Sequence, residues 1–168
     1  MDRDTLVGQL ALVEYVLRKN LEGVSHEHSL KQPAEGGNNI NWIMGHVVRS
    51  RNQAVQLLGG ASSIDEAKYE VYNDDSLADL SKAVRFESMV ESFNAMQPRL
   101  IEGLRKLSDE DAAKPAPFSP TGNPDETVGS LLAGFVFHET YHAGQTGVLR
   151  HICGKDGVLK APKAGSTT

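Results

Sequence analysis

The stretch Leu131-Leu132-Ala133-Gly134-Phe135-Val136-Phe137-His138-Glu139-Thr140-Tyr141-His142-Ala143-Gly144-Gln145 constrains this chain more than any other. Around it, one stripe recurs at helical spacing: Val128, Leu131 and Phe135, then His138, His142 and Gln145, then Leu149 and Ile152. The pattern predicts one long helix whose core-facing seam is interrupted at mid-length by two imidazoles and an amide. Four residues turn a helix through about 400°, so His138 and His142 stack on one face. Two imidazoles turned toward a core repel if protonated and need partners if neutral. A divalent metal satisfies both, since neutral imidazole nitrogen is a common ligand. A pair of hydrogen-bonded core histidines satisfies the same pattern, and this stretch alone leaves the two readings open.

With 168 residues, 39% of them hydrophobic and 23% charged, the chain suits a single domain whose core needs no covalent staples. A formal net charge of -5 gives no support for a nucleic-acid partner and argues against an anionic membrane surface. Cys153 is the single cysteine, so neither an intrachain disulfide nor a thiolate cluster can form. Met1-Asp2-Arg3-Asp4 is charged and leads into an amphipathic run. Neither a signal peptide nor a membrane span is expected, and the default location is cytoplasmic.

Leu6, Leu10, Val13 and Leu17 predict a first helix from about Asp4 to Leu21, stopped at Gly23. His26 and His28 follow in an expected extended or turn segment, as solvated loop residues. A second helix opens at Asn38-Asn39-Ile40-Asn41, with asparagine as cap, and ends at Gly59-Gly60. Residues 61–75 are longer than an antiparallel connection needs, so the third helix is expected to run parallel to the second. Ser76 is the expected cap of that third helix, which ends near Leu107. Pro98 lies inside its stripe and predicts a kink, or a break near Asn94–Gln97. The segment from Lys114 to Pro124 holds four of the seven prolines and is an ordered connector. A last helix is expected from Glu126–Thr127 to Cys153, closed by Gly154. Its small face of Thr140, Gly144, Gly147 and His151 invites close approach of a neighbouring helix, and His151 points away from His142. Together these define an all-α, four-helix domain over 1–154, with a tail over 155–168 expected to fray.

His46, on the second helix, adds a third imidazole to His138 and His142. Three nitrogens with positions left open is the ligand count of a catalytic metal site; a closed structural site wants a fourth protein ligand. Such a site makes metal-bound hydroxide, polarises a carbonyl or holds a thiolate. Gln145, Tyr141, Asn38, Asn41 and Ser50 are candidates to orient the imidazoles or line the pocket. His138-Glu139-Thr140-Tyr141-His142 also matches the H-E-x-x-H pattern of zinc peptidases. However, Val148 stands where a metzincin needs its third histidine, too little chain follows for a downstream glutamate ligand, and no strand pattern precedes the helix. Arg49, Arg51 and Arg85 could pair a substrate carboxylate, although surface charge is the simpler account of each. Glu139 is expected at a helix interface or the surface.

Asn39, Trp42, Gly45 and His46 form an Asn-x-x-Trp-x-x-Gly-His element that resembles the second helix of the DinB/YfiT-like metalloenzyme family. His138-Glu139-Thr140-Tyr141-His142-Ala143-Gly144-Gln145, with Arg150 and Gly154, resembles the last core helix of that family. The resemblance spans roughly residues 4–154. It implies a bundle of up-down-down-up order and one divalent metal, nickel, zinc or iron, held by His46, His138 and His142. It also implies frequent homodimers and a small-molecule substrate, and nothing in it implies DNA binding. Characterised members include thiol-dependent S-transferases and a thiol-dependent maleylpyruvate isomerase. The resemblance therefore points to a metal-dependent S-transferase using a low-molecular-weight thiol as cosubstrate. The alternatives are a metal-dependent hydrolase of the same fold and a non-catalytic metal-binding stress-response bundle.

Overall fold

Each of the four long helices begins where an acceptor takes up its first free N–H groups. The computed structural model describes residues 2–34, 36–73 and 76–158. Helix α1 spans Arg3–Leu21, followed by a short turn α2 at His26–Ser29, and α3 spans Ile40–Leu57. Beyond it come the short α4 (Glu66–Tyr69), the long α5 (Phe86–Lys106), the short α6 (Asp109–Ala113) and α7 (Val128–Ile152). The Asp2 carboxylate caps α1, the Asn39 side chain accepts from Trp42 N–H at 2.8 Å, and Thr127 and Ser130 form a reciprocal capping box on α7. Helix α5 lacks a cap from Arg85; His26 Nδ1 instead accepts from Phe86 N–H at 3.2 Å.

The long helices form a four-membered ring in which α1 and α3 each pack on α5 and α7. Directions follow from the residues that meet. Arg51 reaches Phe93 and Leu58 meets Gly103, so α3 and α5 run parallel. Trp42 meets His142 and Arg51 meets Glu139, so α3 and α7 are antiparallel. Asn20 bonds Thr146 while Arg150 reaches the Asn20 and Glu22 carbonyls, which places α1 parallel to α7. The order is the expected up-down-down-up, with the long crossover between α3 and α5. Leu17, Ile43, Met44, Val47, Phe86, Met89, Phe93, Met96 and Leu131 fill the interior. Among the described residues there is no strand, and no helix is long and apolar enough to cross a membrane.

Several expectations change. Ser76 does not open the third helix: α5 starts at Phe86, where its apolar stripe starts. The residues before it wrap across the bundle, seating Leu77 in the core and handing Val84 N–H to the Tyr72 hydroxyl. Helix α5 runs unbroken through Pro98. Pro98 and Asn94, whose carbonyl loses its partner, both face solvent, so water takes up the carbonyl. His26 and His28 lie on a helical turn rather than an extended loop, capped by the Ser25 hydroxyl. On the small face of α7, Gly147 would bring a Cβ to 3.4 Å of Asn20, but Gly144 meets nothing within 4 Å. The tail is held at its start, where the Asp156 carbonyl accepts from Arg150 Nε at 2.7 Å. Residues 159–168 of the expected fraying tail lie outside the described residues.

Candidate metal centre

The α3 wall explains its own sequence motif. Asn39 ends the preceding loop and starts the helix. One turn on, Trp42 is buried and stacks on His46 with ring centroids 4.8 Å apart and planes inclined by 9°. Gly45 is required by its neighbour, since a Cβ there would lie 2.5 Å from Tyr72 ring carbons. Tyr72 then offers its backbone carbonyl to His46 Nδ1 at 2.8 Å. That bond makes Nδ1 the protonated nitrogen and leaves the Nε2 lone pair free. Tyr72 is itself fixed, its hydroxyl donating to Asn41 Oδ1 at 2.9 Å; burial pushes that phenol up to about 12. Asn41 therefore touches no imidazole; it holds the residue that orients one.

Helix α7 supplies the other two imidazoles. His142 Nδ1 donates to Gln145 Oε1 at 2.7 Å, and Gln145 Nε2 donates to the Tyr141 hydroxyl at 3.2 Å. His142 Nε2 thereby faces inward as a lone pair, 3.1 Å from His138 Nε2. One nitrogen from each of His46, His138 and His142 lies within 4.8 Å of the others. All three are held neutral. Burial, then the neighbouring His142 and His46, push His138 down to about 3. Burial lowers His142 despite the Gln145 hydrogen bond, and lowers His46 with help from the Arg49 guanidinium.

Glu139 and Arg51 make a buried ion pair, which puts Glu139 at the helix interface, one of the two places the sequence allows it, and takes Arg51 from its expected surface place into the interior. Arg51 Nε and Nη2 donate to the two Glu139 oxygens at 2.7 and 2.9 Å. Its Nη1 donates to the Phe93 carbonyl at 3.1 Å, and its guanidinium carbon sits 3.7 Å above the Phe93 ring centroid. Both carboxylate oxygens are thus committed, so Glu139 is not placed to act as the base of a zinc peptidase. Arg51 is equally unavailable to a substrate. Arg85 is exposed and pairs with Glu87. His151 is exposed, away from the cluster, and the buried Cys153 thiol donates to the His28 carbonyl at 3.3 Å.

A cleft of about 500 Å³ opens beside His46 and His138. Its polar wall is one stripe of α3: His46, Arg49, Ser50 and Gln53. Phe118, Pro120, Leu131, Phe135 and Phe137 form apolar walls, and Tyr141 stands at the rim. Glu126 is the one acid among its described lining residues, and it accepts from the Ser119 and Ser130 hydroxyls.

These donors fit a transition metal. His138 Nε2 and His142 Nε2 lie 3.1 Å apart, a contact closed either by one shared proton or by a cation bound to both. Among the described residues His138 Nδ1 is buried without a hydrogen-bond partner, so its ring can present Nε2 either as a lone pair to a metal or as a donor to His142. Imidazole suits zinc, nickel, copper and iron alike, and among the described residues no thiolate or free carboxylate joins the set to narrow the choice. Of the site residues expected from the sequence, the three histidines, Gln145, Tyr141 and Ser50 come together here. The bond from Tyr72 to His46 and the buried Arg51–Glu139 pair beside His138 were not revealed by the sequence, and Gly45 beside a histidine was the signal for the first of them.

An up-down-down-up helical bundle with three convergent neutral imidazoles defines a class of potential metal-binding proteins. Within it, residues 9–146 match the model of the DinB superfamily, and the chain belongs to that superfamily. The fold is also that of a crystal structure described as a conserved protein from Enterococcus faecalis, with 15% identity and a TM-score of 0.71. That match covers 92% of this chain and 99% of the other. No curated protein matches the chain.

Proposed function

We propose that this protein is a metal-dependent S-transferase that joins a low-molecular-weight thiol to an electrophile bound in the cleft beside His46 and His138. The observation that carries the reading is a cluster of neutral imidazoles at an apolar-walled cleft, with no uncommitted carboxylate joining them among the described residues. A divalent cation acidifies bound water to near neutral pH, and a thiol, already the stronger acid and the softer ligand, ionises on it more completely with no neighbouring base. A bound divalent metal would supply that acidification and hold the sulfur for attack. His46, His138 and His142 are its ligands, with Tyr72 and Gln145 orienting two of the rings. The apolar walls exclude water from the electrophile, and Ser50 and Gln53 offer hydrogen bonds along the opposite side.

Metal content of the untagged protein and of a His138→Ala/His142→Ala variant is the first test, followed by thiol consumption with monochlorobimane. In that reaction a carbon–sulfur bond forms, the carbon–chlorine bond breaks, chloride leaves and the thiol proton passes to solvent. The expected result is about one metal equivalent in the parent, almost none in the variant, and turnover only in the metal-loaded parent. Metal loading with ester hydrolysis in place of thiol consumption identifies a hydrolase. Loading without any turnover identifies a binding protein. Equal absence of metal after reconstitution with nickel, zinc and iron(II) leaves the histidines as a buried polar layer and overturns the reading.

A further inference from the structure

We propose that Arg49 is the anion-binding residue of the cleft, so that the substrate held beside the three histidines carries a carboxylate on an apolar body. The inference rests on the cleft being the substrate site proposed above. Five arginines are buried or half-buried, namely Arg3, Arg49, Arg51, Arg99 and Arg150. Arg3 pairs with Asp109, Arg51 with Glu139, Arg99 with Ser63 and the Ala61 carbonyl, and Arg150 with three backbone carbonyls. Arg49 alone of these makes no ion pair or hydrogen bond among the described residues, and it lines the cleft. A partly desolvated guanidinium is stabilised by an oxyanion, and its fork of donors matches a carboxylate in two parallel hydrogen bonds.

Among the described residues, the surroundings leave that partner to come from outside. Glu126, the acid that shares the cleft, is engaged by Ser119 and Ser130. Arg49 follows His46 by three residues on α3, about one helical turn along the same wall. Across from it, Phe135 and Phe137 offer apolar surface for the body of the ligand. A substrate whose carboxylate sits on Arg49 has its apolar body in the cleft that His46 and His138 also line. Neutral electrophiles of the same shape lose this anchor.

The test titrates phenylacetate and phenylacetamide, an acid and its neutral isostere, into the full-length protein by calorimetry. Metal-free protein is used first, so that the carboxylate has no metal to bind, and zinc-loaded protein second. The parent is expected to bind the acid at least about tenfold more tightly than the amide. Arg49→Gln is expected to abolish that preference and Arg49→Lys to keep part of it. Circular dichroism and metal content should match the parent in both variants, since Arg49 is partly exposed and is no ligand. Equal affinity for acid and amide, no heat from the acid at millimolar concentration, or a preference that survives Arg49→Gln overturns the inference. Thiol turnover, measured on the same preparations, separates the two readings. Discrimination without turnover defeats the transferase reading alone, and turnover without discrimination defeats the role of Arg49 alone.

Discussion

A metal-binding imidazole works best when its outer nitrogen is already engaged, and the three histidines differ in this respect. His46 and His142 are locked by the Tyr72 carbonyl and the Gln145 amide, whereas His138 Nδ1 has no partner among the described residues. Gln145→Leu should therefore weaken metal affinity by roughly 10–100-fold while leaving the ligand set intact, as competition with a chromophoric chelator would measure. Gly45→Ala should do the same through α3, because the added methyl displaces Tyr72 and with it the His46 partner. Unchanged affinity in both variants would mean that packing alone orients the rings. Protonation gives an independent check. All three imidazoles titrate below the ordinary 6.5 in the folded state, His138 near 3. The unfolded chain then binds more protons below about pH 6.5, so metal-free protein has its full stability above that pH. It loses stability as the pH falls from about 6.5 toward about 3. Urea melts of chelator-treated protein across this range should show the decline, and His138→Ala should flatten it.

Helices α3 and α7 hold the candidate site together, and the buried Arg51–Glu139 pair joins them. It joins positions 88 residues apart in sequence and adjoins the cluster directly, Glu139 being the next residue after His138. Glu139→Ala leaves a fully enclosed guanidinium without its carboxylate and should cost roughly 3–5 kcal/mol. Removing both charges with Arg51→Met/Glu139→Leu should cost much less, and equal losses in the two variants would contradict a buried-charge penalty. This pair was not legible in the sequence, because a charged residue on a helix is usually a surface residue and nothing local marks its distant partner. The long helices were legible for local reasons. Asn39 and Thr127 cap, Gly59 and Gly154 take positive φ just past two helix ends, and apolar stripes run between. The beginning of α5 was not, since Ser76 resembles a cap while the acceptor actually used, His26, is distant in sequence. The histidine cluster fell between these cases. The i,i+4 spacing brought His138 and His142 together on one face, but His46 joined them only through the motif around it.

At the scale of the whole molecule, the three histidines tie the second long helix to the last, across an antiparallel contact on one side of the bundle. The crossover feeds the same point, since Tyr72 contributes its carbonyl to His46 and its hydroxyl network to Asn41 and Val84. A cation bound there is a ligand of the native state only, because the unfolded chain does not bring residues 46, 138 and 142 together. At free metal about 100-fold above Kd, one such site stabilises the fold by about 2.7 kcal/mol. For a domain of this size that corresponds to a rise in Tm of roughly 5–11 °C. Differential scanning calorimetry of metal-loaded and chelator-treated protein should show that difference, and it should vanish in His138→Ala/His142→Ala. Glu139→Ala offers the sharper discrimination. If the ion pair sets the alignment of α3 and α7 that the site requires, this variant should lose affinity for the metal as well as stability. Its metal-dependent Tm shift at fixed free metal should then be smaller than the parent's. A lower Tm in both forms with an undiminished shift would show that the imidazoles find their geometry without the pair, and that Arg51 and Glu139 serve the fold alone.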